Sequence, residues 1–266
     1  VEMQLDATQN YNKLLTHDRL FGWHNVLFPI GMSGLYRIEV GRYRSGEMQV
    51  ISGAMGKEKV HYQAPSASRV YAEMERFIDW INTCNEIDAV LKAAIAHLWF
   101  VSIHPFDDGN GRITRALTDM LLARSENSSK RFYSVSAEIK LLQKEYYEVL
   151  ERTQHGNGDI TEWLLWFIHC FEQALDSTEE KLSSVMRKTE FWERYRHVAL
   201  NERQRRLLNM QFDGFFGKLT SSKWAKIAKC SPDTALNDIN DLIAKGILQK
   251  TNEGGRSTNY ILVNNN

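Results

Sequence analysis

The residues from His104 to Arg115 hold most of the chemistry this chain can offer: His-Pro-Phe-Asp-Asp-Gly-Asn-Gly-Arg-Ile-Thr-Arg. His104 is a base whose ordinary pKa lies near neutrality, suited to taking a proton from a hydroxyl. Gly109 and Gly111 let the backbone come close to a ligand. Arg112 and Arg115, three apart, share one helical face and can fork onto oxyanions. Asp108 would repel a phosphate, so among these groups it suits a Mg²⁺ that neutralises a polyphosphate. Together they point to transfer of a phosphate-linked group onto an alcohol.

Two helices must position that stretch. Val90 to Ile103 is an apolar run without Gly or Pro, with only Lys92 charged, and predicts a helix buried on most sides. Pro105 pushes His104 out of the α region and marks the helix end. After Gly111 the pattern turns helical again, with Ile113, Leu117, Met120 and Leu121 on one face. The loop between them therefore ends on a helix N-terminus, where unpaired amides and the dipole favour an anion such as phosphate.

The run His-Pro-Phe-x-(Asp/Glu)-Gly-Asn-Gly-Arg-x-x-Arg resembles the signature of the Fic family, with every constrained position filled. The resemblance implies a mainly α fold, a helical core with a β-hairpin flap. It also implies AMP transfer from ATP, with Mg²⁺ or Mn²⁺, to a Ser, Thr or Tyr hydroxyl of a target protein, the chain itself among the candidates. By position, His104 would be the general base, Phe106 the loop's apolar anchor and Asp108 the metal ligand. Gly109, Asn110 and Gly111 would bind the α- and β-phosphates, and Arg112 and Arg115 the distal ones. The phosphotransferase branch carries Lys where Gly111 stands, so Gly111 favours nucleotidyl transfer. Tyr147 and Gln154 match the adenine-facing pair, although Asn is common at the position of Gln154. Val60 and His61 would be the flap's contacts with the target. Removal of AMP is a second reading, for a longer form. The family's inhibitory motif, Ser/Thr-x-x-x-Glu-(Gly/Asn), does not occur here, so the expectation is a clamp upstream of Val1 acting on Arg115.

The rest of the chain sets the frame. Its 266 residues suit a large domain and a small one, and 33 basic against 33 acidic residues give no global field for nucleic acid or membrane. No stretch approaches a membrane span, and Cys84, Cys170 and Cys230 read as reduced cytoplasmic thiols. The expected division is a Fic-type core over 1–175, a helical bridge over 176–200 and a small winged helix-turn-helix unit over 201–266. Within the core, helices are expected over 6–15, 17–28, 66–83 and, capped by Ser136, to about Thr153. A hairpin is expected from Gln49 to Tyr62, turning near Gly53 to Lys57, and His24 is expected to be a core histidine with a partner.

In the C-terminal unit a wing turns at Glu253-Gly254-Gly255, with Arg256 in it. Its second helix carries Asp233, Asp238 and Asp241 against Lys245, a poor match to a phosphate backbone. Docking to protein is therefore preferred to DNA, and a homodimer stays open. A nucleotide-binding regulator acting on DNA through the wing is the alternative. A chain ending before Lys218 is expected to keep the transfer activity.

Overall fold

The computed structural model describes residues 1–53, 59–215, 217–251 and 258–263. Most of the flap turn near Gly53 to Lys57, and the wing turn with Arg256, lie outside the described residues. The chain divides into two compact units, Val1–Thr178 and Glu179–Asn266.

The first unit is built around α4 (Ala89–Ile103), whose residues are apolar on nearly all sides. Asp88 starts it by accepting from the amides of Val90 and Leu91. The charge at Lys92 is absorbed locally: its ammonium donates to the carbonyls of Ile81 and Cys84 and lies over Trp80. It thereby closes the C-terminal end of α3 (Ala67–Thr83), whose Val70, Met74, Phe77, Ile78 and Ile81 are buried as their spacing predicts. Packed closely on α4 is α5 (Asn110–Ser125), with Ile113, Leu117 and Met120 fully buried. Thus the loop from His104 to Gly109 is held by two buried helices.

Two boundaries differ from expectation. The first helix, α1, spans Glu2–Gln9 rather than 6–15, and α2 spans His17–Leu27 with Thr16 accepting from the Arg19 amide. Asp6 explains the shift: its carboxylate holds Arg19 and the Trp23 indole, tying α1 to α2 from inside a helix instead of starting one. The helix expected from Ser136 is two, α6 (Val135–Leu141) and α7 (Gln143–Gln154), separated at Leu142. Ser134, not Ser136, caps α6 by accepting from Ala137 N–H, while Ser136 turns toward Asp119.

Between α2 and α3 lie two antiparallel hairpins. Strands β1 (Met32–Ser33) and β2 (Tyr36–Arg37) form the first, and β3 (Gln49–Ser52) and β4 (Lys59–Gln63) the second, with a register shift at Val50/Ile51.

Helix α8 (Thr161–Arg194) runs unbroken through the stretch expected to be a bridge. Its Phe191 and Trp192 pack against the second core, which holds Leu207, Leu208, Trp224, Ile239, Leu242 and Ile247. That unit continues with α9 (Glu202–Phe212), α10 (Ser221–Ala228), α11 (Pro232–Ala244) and the antiparallel pair β5 (Leu248–Lys250) and β6 (Tyr260–Leu262). The charge count expected for α11 needs correction. Asp238 is buried and gripped by Arg203, with Asn201 donating to it, and Asp241 pairs with Lys245 and Gln204. Only Asp233 stands outside these pairs, so α11 is not an acidic face.

This second core also moves the cut for a truncation. Ending the chain before Lys218 would keep Leu207 and Leu208 but remove Trp224 and Ile239, leaving half a core exposed. A chain ending at Thr178 is expected to melt in one cooperative transition by circular dichroism; one ending at Gly217 is expected to show exposed apolar surface by dye binding.

Candidate active site

His104 closes α4 in the left-handed conformation, at φ 50° and ψ 59°. For a residue with a Cβ that backbone is uncommon and costs about 1–2 kcal/mol, so something must hold it there. Arg44 does. Its Nε donates to the His104 carbonyl at 2.8 Å, Nη1 to Gly46 at 2.8 Å, and Nη2 to Pro65 at 2.5 Å and Ile103 at 3.4 Å. Its own amide donates to the Pro105 carbonyl at 2.9 Å.

The imidazole is fixed as firmly. Nδ1 of His104 lies 3.1 Å from the Val101 carbonyl. A carbonyl only accepts, so Nδ1 carries the proton and Nε2 keeps its lone pair. Burial pushes the pKa below its ordinary value; the bond to Val101 opposes this, and the Arg44 charge adds to it. The result is a neutral imidazole at neutral pH with a basic Nε2.

The loop beyond it is locked from within. Phe106 is fully buried, stacked on His24 with centroids 4.2 Å apart. The buried Asn110 amide accepts from Phe106 N–H at 2.9 Å and donates to the Phe106 carbonyl at 2.7 Å. The Asn110 side chain is therefore spent on the loop, and its backbone N–H is what remains for a phosphate. Gly109 has φ 84°, and a Cβ there would come within 2.9 Å of the Phe28 ring, so only glycine fits. The first helical bonds of α5 are those from Arg112 and Ile113 N–H to the Gly109 carbonyl. The amides of Asn110 and Gly111 precede them, at the positive end of the helix dipole.

Around this start lie the charged groups. The Asp108 carboxylate accepts from the Ser33 hydroxyl and the Gly109 amide and sits 3.5 Å from Arg112. Partial burial would raise its pKa, but these partners outweigh that and keep it below the ordinary carboxylate value. Arg112 is exposed and lies over Phe28, 4.6 Å from the ring centroid. Arg115 is half-buried and forms no ion pair among the described residues; its Nη1 is 3.6 Å from where a Cβ on Gly111 would stand. Among the described residues no group of three or more His, Cys, Asp or Glu could hold a metal by itself. A single carboxylate fits Mg²⁺, which keeps several waters and takes other ligands from substrate phosphates.

The expected flap and adenine residues gather on α7. Lys59 and His61 of β4 both bond Glu151, at 2.8 and 2.7 Å, and the His61 carbonyl lies 2.7 Å from His155 Nε2. With Ser52 on its other nitrogen, His61 is an anchor of the hairpin rather than a free contact, while Val60 is exposed. Tyr147 is exposed, and Gln154 donates to Ser102, two residues before His104.

Several supporting residues escaped the sequence. Arg44 looked no different from Arg37 and Arg42 nearby. His24 has partners on both nitrogens, as expected of a core histidine, but one of them is the Asp108 carbonyl. Ser33 sits in a stretch with no periodic or spacing signal, and Glu151, though in an expected helix, carries no motif that marks it.

Residues 14–122 match the model of the Fic/DOC family. The chain is 31% identical over 145 residues to a Drosophila willistoni protein named protein adenylyltransferase Fic, covering 52% of this chain and 28% of that protein. A Drosophila grimshawi protein of the same name is 36% identical over 105 residues, covering 39% of this chain and 20% of its own length. The chain thus spans less than a third of these relatives. In fold it is similar to the crystal structure of a Fic family protein from Desulfovibrio desulfuricans, with TM-score 0.54 and 22% identity over 98% of this chain and 74% of that one. A Fic domain-containing signalling protein from Bacteroides thetaiotaomicron gives TM-score 0.51 at 24% identity, covering 66% of each chain. Residues 14–122 are thus similar to a Fic/DOC family domain.

Proposed function

We propose that this chain is a protein adenylyltransferase, moving AMP from ATP to a Ser, Thr or Tyr hydroxyl of a target protein. One observation carries the reading: His104 Nδ1 is bonded to Val101, which leaves Nε2 basic in the loop that runs into the N-terminus of α5. His104 Nε2 takes the hydroxyl proton as the hydroxyl oxygen bonds to the α-phosphorus. The bond from that phosphorus to the bridging oxygen breaks, and pyrophosphate leaves with the electron pair. The amides at Asn110 and Gly111 hold the α- and β-phosphates, Gly109, whose own amide is bonded to Asp108, lets the backbone approach them, and Arg112 and Arg115 spread the charge of the leaving pyrophosphate. Asp108 holds Mg²⁺ or Mn²⁺, which when bound neutralises the polyphosphate. Tyr147 and Gln154 face the adenine, and the hairpin meets the target through Val60, with His61 anchored behind it.

The direct test is ATP labelled at the α-phosphate, incubated with the chain alone and with a mixed protein lysate. A labelled band supports the reading, on the chain itself if it is its own target; label retained only as bound nucleotide overturns it. For the metal, Asp108→Ala is expected to lower transfer and to raise the Mg²⁺ concentration giving half-maximal rate. An unchanged metal dependence would remove Asp108 from the ligand set.

The C-terminal unit is proposed as a winged helix-turn-helix that docks a protein partner. The internal pairing of Asp238 and Asp241 favours DNA more than the bare charge count does. A salt-dependent shift of duplex DNA would make it the partner instead. No described helix is long and apolar enough to cross a membrane. The free thiols of Cys84, Cys170 and Cys230 suit a reducing compartment, and we place the protein in the cytoplasm.

A further inference from the structure

We infer that Arg44 is the positioning residue of the catalytic base, fixing the His104 backbone and ring from the foot of the β3–β4 hairpin. This rests on the proposed AMP transfer for its kinetic consequence but not for its geometry. Arg44 is 3% exposed, and its guanidinium spends its donors on four main-chain carbonyls. Two of these, Ile103 and His104, end α4; the other two, Gly46 and Pro65, flank the β3–β4 hairpin. Arg44 N–H adds a bond to the Pro105 carbonyl, so backbone and side chain grip the same turn.

A planar fork can serve carbonyls in several directions at once, which a lysine ammonium on its flexible stem cannot do with the same geometry. Without it, the left-handed turn at His104 loses its restraint, and with it the approach of Nδ1–H to Val101 that fixes the tautomer. Charge acts in the same sense. Arg44 is the cation bearing on His104 and opposes its protonation, while Asp108 is the carboxylate that pulls the other way. Glu47 and Asp107 act on Arg44 itself.

Arg44→Gln and Arg44→Lys separate these effects. Two readouts are needed: steady-state AMP transfer, and NMR of the His104 ring nitrogens across pH in the absence of nucleotide. In Arg44→Gln, kcat is expected to fall about tenfold to a hundredfold, the scale of a misplaced reacting group. KM for ATP should hold, the His104 titration midpoint should rise, and the Nδ1–H tautomer should lose its dominance. Arg44→Lys keeps the charge and should retain the low midpoint while losing the tautomer preference, with an intermediate kcat. An Arg44→Gln ring with unchanged midpoint and tautomer overturns the inference. So does unfolding of both variants, which would make Arg44 a plain structural clamp. A wild-type chain that transfers no AMP, yet shows these NMR changes on substitution, would sink the proposed reaction and leave the positioning role standing.

Discussion

His104→Ala is expected to abolish AMP transfer while leaving ATP binding nearly intact. The phosphates rest on amides and arginines elsewhere in the loop, so removing the imidazole deletes proton transfer and little else. Loss of a general base costs about two to four orders of magnitude in rate. A pH profile adds a test that a merely structural histidine would fail. Burial lowers the His104 pKa, the Val101 bond opposes that, and Arg44 reinforces it. The base is thus already deprotonated at neutral pH. Transfer by the wild-type chain should be flat through neutrality and fall on the acid side, below the ordinary histidine value. That acid limb should vanish in the residual activity of His104→Ala. Equal turnover of mutant and wild type, or an acid limb that survives the substitution, would exclude His104 as the base.

What was legible in the chain follows from where each signal is stored. The buried helix α4, its stop at Pro105 and the restart of α5 are written in local composition and backbone chemistry, so their places were readable within a residue or two. Gly109 was readable as glycine, but its reason was not: the Phe28 ring that would meet a Cβ comes from the residue that caps α2, far away in sequence. Arg44 is the extreme case. A single arginine among others carries no sign that it will be buried, because its partners are carbonyls, and every residue has one. Asp6, at the start of the expected first helix, lies mid-helix instead and binds Arg19 and Trp23, partners in α2 that its own neighbours in sequence do not announce. Asp238 shows the limit of counting one helix: Lys245 offsets Asp241 from within it, but the Arg203 that pairs with Asp238 comes from α9.

Asn110→Ala should be the most damaging change outside the imidazole, acting through the loop rather than the chemistry. The Asn110 amide is 2% exposed and is bonded to both main-chain groups of Phe106. Alanine leaves a buried N–H and a buried C=O without that partner, at about 1–3 kcal/mol each. The Phe106 ring, stacked on His24, resists any shift that would let water in, because its pocket is closely packed. The turn must then either bear the unpaired groups or open, and opening moves the Asn110 and Gly111 amides away from a bound phosphate. Thermal melting should show the stability loss, and ATP titration should show weakened binding, in contrast to His104→Ala. Asn110→Asp sharpens the test. A carboxylate can still accept from Phe106 N–H but cannot donate to its carbonyl, and its charge sits at the start of a phosphate-binding helix. It should therefore recover part of the stability while binding ATP no better than the alanine variant. If instead Asn110→Ala melts like wild type and loses only ATP affinity, the side chain serves the nucleotide directly and the loop-locking role is wrong.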